Sequence, residues 1–157
     1  MHSIFTHGIL NKIFKAMETI IGKEFADKVI PLLKQAKNNI NIIVYAWYWY
    51  PDKIGSDIQN FNNAIINAAK KGVNVKVITN TANTIKVLSE NKVEAKEIKT
   101  KGSLHAKLIV IDDKIAILGS HNYTMSAFTL NHELSIKTEK KENVDRLKIF
   151  FNNLWQY

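Results

Sequence analysis

Apolar positions along this chain switch between two periods. Over residues 23–37 they recur at Phe25, Val29, Leu32, Leu33 and Ala36, the spacing of a helix with one buried face. Pro31 inside that pattern predicts a kink. Residues 40–47 form a β-branched and aromatic run that reads as a buried strand. Residues 51–55 punctuate the pattern as a loop. Ser56 followed by Gln59 has the spacing of a capping box, and it opens a helix with Ile58, Phe61, Ile65 and Ala69 inward, stopped at Gly72. Residues 73–79 predict a strand, 84–90 a short helix and 93–98 a further strand. Residues 104–111 and 114–118 read as two strands joined by a tight turn at Asp112-Asp113. Residues 122–130 suit a short helix or an irregular turn, 133–138 a last strand, and 143–157 a closing helix that buries Val144, Leu147, Phe151, Leu154 and Trp155. Residues 12–21 fit strand and helix equally.

Strands alternating with helices, then strands in tight succession, predict an α/β domain with a mixed sheet flanked by helices. Glycine and proline are scarce, six and two in 157 residues, so no linker divides the chain and residues 1–157 read as one domain. No apolar run approaches the roughly 18 residues of a membrane span. The N-terminus lacks the basic and apolar regions of a secretory signal, which makes the cytoplasm the expected compartment and leaves secretion open. The absence of cysteine removes disulfides, thiolate metal sites and cysteine nucleophiles. The net charge is +8, and 21 of the 22 basic residues are lysines. That balance suits a polyanionic partner, nucleic acid or an anionic membrane surface, and equally suits lysines that keep a small protein soluble.

The chemistry concentrates in one segment. His105 and Lys107 are two apart in a predicted strand and would share a face. A histidine and a lysine side by side on so apolar a strand are costly to bury unless an anion answers them. The next predicted strand ends in Gly119-Ser120-His121-Asn122, where small polar side chains and free backbone N–H groups suit a phosphate.

The pattern His105-x-Lys107-x4-Asp112-x6-Gly119-Ser120-x-Asn122 resembles the HKD signature of the phospholipase D superfamily, and Glu133 stands where small members of that superfamily carry an acidic partner for the histidine. The resemblance implies a phospholipase D-like half-domain covering all but residues 1–20, which it does not place. It further implies a two-step displacement at phosphorus without metal or cofactor. His105 attacks to give a phosphohistidine, Lys107 with Ser120 and Asn122 holds the phosphate oxygens, and Glu133 orients His105 through Nδ1. Asp112 belongs to the signature and so to the catalytic set, but its opposite parity to His105 marks it as a tie for the turn. The displacement needs a second histidine as acid. His2, His7, His121 and His132 all lack a lysine two residues on, so the second His105 is expected from another copy in a homodimer.

The expected activity is therefore phosphodiester hydrolysis of DNA or RNA, with a membrane lipid as the alternative substrate and a binding module with a dead site as the third. Lys99 and Lys101, with Lys96, lead into the motif as a candidate phosphate track. Trp49 is a candidate for base stacking, with Tyr50 beside it, while Tyr45 and Trp47 read as core and interface. Phe150, Phe151 and Trp155 read as core. His121 and His132 sit beside motif positions and have the chemistry of metal ligands, a role their opposite parity disfavours.

Overall fold

The structure, a computed structural model, describes residues 17–157. In chain order its elements are β1 (Met17–Ile21), α1 (Glu24–Gln35), β2 (Asn39–Val44), α2 (Asp57–Lys70), β3 (Asn74–Thr79), α3 (Ala82–Glu90), β4 (Glu94–Lys96), β5 (Leu108–Ile111), β6 (Ile115–Gly119), α4 (Met125–Thr129), β7 (Leu134–Thr138) and α5 (Lys141–Trp155). The seven strands form one sheet in the order β1-β7-β6-β5-β2-β3-β4. β2, β3 and β4 run parallel, as strands joined through helices do, and β5, β6, β7 and β1 continue antiparallel. This is the mixed sheet flanked by helices that the pattern predicts. No helix among the described residues is long and apolar enough to cross a membrane. The undecided segment resolves into β1 from Met17 onward; residues 12–16, like His2 and His7, lie outside the described residues.

Strand parity divides the core in two. Ile40, Ile42, Val44, Val75, Val77, Ile109 and Ile117 face α1 and α2, which contribute Phe25, Val29, Leu33, Ile58, Phe61 and Ile65. Ile43, Ile78, Leu108, Val110 and Ala116 face the opposite way and pack under Val144 and Phe151 of α5. Each such side chain contributes roughly 1.5–3 kcal/mol by leaving water. Ser56 caps α2 by accepting from the Gln59 N–H at 3.4 Å. The reciprocal half of the capping box is missing, because Gln59 turns its carbonyl to the Tyr50 N–H and the Asn62 amide. At the other end Gly72, at φ 93°, closes a Schellman motif in which Gly72 N donates to Ala69 O and Val73 N to Ala68 O.

α1 continues through Pro31, which is exposed, so the carbonyl it leaves unpaired can bond to water. Other expectations change. Two strands are shorter than the apolar pattern suggests: β2 ends at Val44, and β5 begins only at Leu108. Phe150 is not core. It is 44% exposed while Phe151 is 1% exposed, because adjacent helical positions lie about 100° apart and α5 buries only one of them.

The turn between β5 and β6 is a two-residue hairpin with Asp112 and Asp113 at φ 52° and 54°, closed by Lys114 N to Ile111 O at 3.0 Å. The Asp112 carboxylate accepts from the N–H groups of Asn38 (2.7 Å), Lys37 (3.0 Å) and Asn39 (3.1 Å). Partial burial alone would raise its pKa. The three amide donors, helped by Lys114, outweigh that and hold it below the usual carboxylate range. Asp113 is anchored separately, by Lys148 of α5 at 2.5 Å.

Asp112→Ala should therefore lower stability by about 2–4 kcal/mol, from lost charge-assisted bonds and a strained positive φ. The sign follows from the depressed pKa: the carboxylate's share is present above the unfolded value of about 3.9 and is lost as pH falls through the lower folded value. Urea midpoints of wild type and variant should converge as pH falls from 7 toward 2.5. A constant gap would show that the carboxylate's charge plays no part.

Candidate active site

His105 and Lys107 lie on the approach to β5 and not within it, so no shared strand face aligns them. Lys107 folds back instead. Its Nζ donates to the His105 carbonyl at 2.8 Å and stands 3.2 and 3.3 Å from the two ring nitrogens of His105. Whether either ring nitrogen accepts from the ammonium depends on which of them carries a proton. The ring of His105 is exposed, while Lys107 is only 8% exposed. Burial pushes the Lys107 ammonium pKa down, against the opposing pull of the Glu133 carboxylate. Tyr45 completes this side: its ring lies 5.3 Å from that of His105, and Lys107 Nζ stands 5.9 Å over it. Tyr45 is 40% exposed, at the site's rim, and Trp47 is fully buried.

The second half of the site is the junction of β6 with β7. Ser120 N donates to Leu134 O at 3.0 Å, and Leu134 N donates to Ser120 Oγ at 3.1 Å. The Ser120 hydroxyl proton goes to Glu133 Oε2. Glu133 Oε1 accepts from Asn131 Nδ2 at 3.0 Å. Within one chain Glu133 thus serves Ser120 and Asn131, and the expected Glu133–His105 bond is not formed. Gly119 has a steric reason: a Cβ there would lie 2.3 Å from Leu134 O and 2.4 Å from Ser135 Oγ. Asn122 accepts from Ala46 N at 3.2 Å, and its NH2 group has no partner among the described residues.

His121 is no metal ligand here. It is 1% exposed, stacked on Phe25 at 4.3 Å, with both ring nitrogens engaged. Nε2 lies 3.1 Å from Gly22 O, which can only accept, so Nε2 carries the proton and Nδ1 accepts from Ser135 Oγ at 2.7 Å. Burial pushes its pKa down, against the Gly22 carbonyl and Glu133. His121 therefore pins the Ser120–Asn122 segment to the β1–α1 turn and to β7. The parity argument predicted that it points away from the site, but nothing local named Gly22 and Ser135 as its partners. His132 is exposed. Among the described residues no three His, Asp or Glu side chains gather as metal ligands. Asp112 sits at the far end of β5 from His105, bonded to backbone. Lys96 donates to Trp155 O at 2.5 Å and leaves the candidate phosphate track, while Lys99 and Lys101 remain exposed beside the motif. Trp49 is half-buried and packed against the core, and Tyr50 is occupied by Met125 N at 2.9 Å.

The family model described as "Cardiolipin synthase, PLD-like domain" matches residues 29–155. A phospholipase D of Rickettsia bellii is 35% identical over 52% of this chain and 44% of its own length. A mitochondrial cardiolipin hydrolase of Xenopus tropicalis is 24% identical over 82% of this chain and 60% of its own. The chain thus spans about half the length of the curated relatives it matches. The fold is shared with the phospholipase D family member Nuc of Salmonella typhimurium, at a TM-score of 0.73 and 18% identity, covering 89% of this chain and 95% of that one. On the match over most of its length, the chain belongs to the phospholipase D-like family.

Proposed function

We propose that this protein is a metal-independent phosphodiesterase that cleaves nucleic acid through a phosphohistidine, at a site shared by two copies of the chain. The observation that carries the reading is an exposed His105 held against a buried Lys107, at strand ends that also present Ser120 and the free Asn122 amide. His105 attacks phosphorus, a P–N bond forms and the P–O bond to the leaving group breaks. The second copy's His105 gives that oxygen its proton. Water then attacks phosphorus, its proton passes to the same, now neutral, imidazole, and the P–N bond breaks. Lys107, Ser120 and Asn122 meet the charge on the non-bridging oxygens, the work a cation would otherwise do. Glu133, occupied by Ser120 within its own chain, is the carboxylate available to orient an imidazole in the assembled site.

An apolar surface supports the shared site. Leu118 and Leu134, just outside Ser120 and Glu133, are exposed, as are Met17 and Phe150. Met17, Leu118 and Phe150, with Ile136 and Leu147, border a shallow cavity of about 430 Å³ that Thr138, Asn143 and Arg146 also line. A stripe of this kind on a soluble domain marks a contact surface, and this one ends at the catalytic strand ends. The charge of +8, with Lys99 and Lys101 at the motif, favours a polynucleotide. The second reading, a phospholipid diester, rests on the family description and on the phospholipase D and cardiolipin hydrolase relatives.

Hydrolysis should persist in excess EDTA. In that buffer, single-stranded DNA, duplex DNA, RNA and phospholipid vesicles compared side by side should rank a nucleic acid first; activity lost to chelator and restored by magnesium would end the mechanism. Nucleic-acid binding should weaken steeply between 50 and 200 mM salt, as lysines that displace counterions require. A flat response would favour the lipid. Mixing equal amounts of wild type and His105→Ala, with exchange verified by mass, should leave about a quarter of the activity expected if every chain were wild type, because only about a quarter of randomly paired dimers are then intact. A value near half would mean that each chain carries a complete site.

A further inference from the structure

The segment that carries Tyr45 does more than flank His105. After β2 the chain leaves the sheet, yet residues 46–50 are held by many hydrogen bonds. Trp47 N donates to Thr81 Oγ1 at 3.0 Å, and the Thr84 hydroxyl donates to Trp47 O. Trp47 Nε1 donates to the fully buried Asn62 at 2.7 Å, and Asn62 in turn donates to Tyr48 O at 3.3 Å. Tyr48 N donates to Tyr123 O, and Tyr123 N to Ala46 O, both at 2.9 Å. This network presents Tyr48, 50% exposed, and the half-buried Trp49. A segment anchored this firmly needs a reason to display an aromatic ring.

The two residues form one wall of a cavity of about 390 Å³, whose other wall is the Asn80–Thr84 stretch after β3. Asn80 and Asn83 are exposed there, and their side-chain amides have no partner among the described residues. Thr84 gives no polar group to the cavity, because its hydroxyl donates to Trp47 O, while Thr81 Oγ1 accepts from Trp47 N and keeps its own O–H donor. The cavity adjoins the catalytic side directly: Asn80 N donates to Tyr45 O at 3.4 Å, and the Tyr45 ring touches His105. Its lining offers flat aromatic surface and unengaged amides, each with a donor and an acceptor, beside the segment whose Tyr45 ring lies 5.3 Å from that of His105.

We propose that this cavity is a nucleobase subsite, which takes the base of a nucleotide flanking the scissile phosphate, and that the enzyme therefore acts on single-stranded nucleic acid. The proposal rests on the nucleic-acid reading above. A base matches the lining in both respects: its face stacks on Tyr48 or Trp49, and its edge carries the donors and acceptors that an asparagine amide reads. A base inside a duplex has its faces covered by neighbours and its edge paired, so it cannot enter. The size of the cavity is that of a small-ligand site and not of a groove for a double helix.

The test uses single-stranded oligonucleotides in which a stable tetrahydrofuran abasic analogue replaces one nucleotide at a time, with every cleavage position mapped. Cleavage at the bond beside the abasic position should slow about 10-fold, in line with the loss of one base–aromatic stack. The duplex of the same sequence should be cut at least about 10-fold more slowly than the single strand. In Tyr48→Ala the intact oligonucleotide should fall to the abasic rate, so that the abasic penalty disappears. Asn83→Ala, an independent exposed position, should shrink the penalty too, and it carries the test if Tyr48→Ala melts early. Equal cleavage of abasic and intact strands, a penalty unchanged in both folded variants, or equal cleavage of duplex and single strand would overturn the proposal. If wild type leaves every oligonucleotide intact but hydrolyses bis(4-nitrophenyl) phosphate or phospholipid vesicles, the nucleic-acid reading itself falls and takes the subsite with it. That signature is distinct from the others.

Discussion

The Asp112 carboxylate gathers the amides of Lys37, Asn38 and Asn39, and through them it fixes the β5–β6 hairpin to the first residue of β2. Because β5 runs antiparallel to β2, an anchor at the amino end of β2 puts the start of β5 at its carboxyl end. That is where Lys107 and His105 meet Tyr45. The spacing of the sequence motif is then a set of strand lengths. The four residues between Lys107 and Asp112 are β5 itself, and the six between Asp112 and Gly119 are Asp113, Lys114 and the first four residues of β6. One extra residue in β5 would reverse the faces of its side chains and break the match between anchor and site. Asp112 therefore acts on the chemistry only through geometry, from the opposite end of the strand.

The other end of the hairpin meets a different constraint: polar groups have to be held at strand ends without closing the site. Gly119 lets Ser135 lie against the backbone, Ser135 donates to His121, and His121 donates to Gly22. Gly22 is held a second time by its own N–H to Glu133 O at 2.9 Å. Ser120 and Asn122 are thus flanked by a buried residue whose contacts run to β1 and β7, and the Asn122 NH2 group is left without a partner among the described residues. The cost is a buried imidazole. It is met by leaving the ring neutral and by engaging both nitrogens, the arrangement in which a buried polar group is least destabilising.

How far the sequence discloses this depends on whether the deciding contact is local. Helical spacing and the Gly72 stop are local, and the predicted α2 coincides with the observed one. So are the β-branched runs of β2 and β3. The extended readings of 40–47 and 104–111 fail where backbone partners come from far along the chain: Asn122, Thr81 and Asn62 draw the Tyr45–Tyr50 segment out of the sheet, and Lys107 curls back on His105. Phe150 misleads because a run of two aromatic residues does not say which one the helix will bury. In the site, residue types and spacing are legible, but partners are not. Nothing in the string Asn131-His132-Glu133 says that the carboxylate will take the Ser120 hydroxyl.

The division of burial between Lys107 and His105 bears on how two copies would share the work. Each chain buries its cation behind an exposed imidazole, so two copies meeting at the strand ends would bring two Lys107 ammoniums toward one phosphate. Apolar contact along Leu118, Leu134 and Ile136 can hold such a pair together, but it is non-directional and does nothing for the repulsion between cations. Glu133 tempers that repulsion in each half, since its charge acts on Lys107 of its own chain. A bound phosphodiester would cancel more of it, because the anion interacts with both cations at once. By linkage, a ligand that binds the paired state better than the single chain strengthens the pairing by the same free energy. On the proposed reading, substrate affinity and cohesion of the two copies are therefore one coupled quantity, and the partial burial of Lys107, which weakens screening by solvent, sets how strong that coupling is.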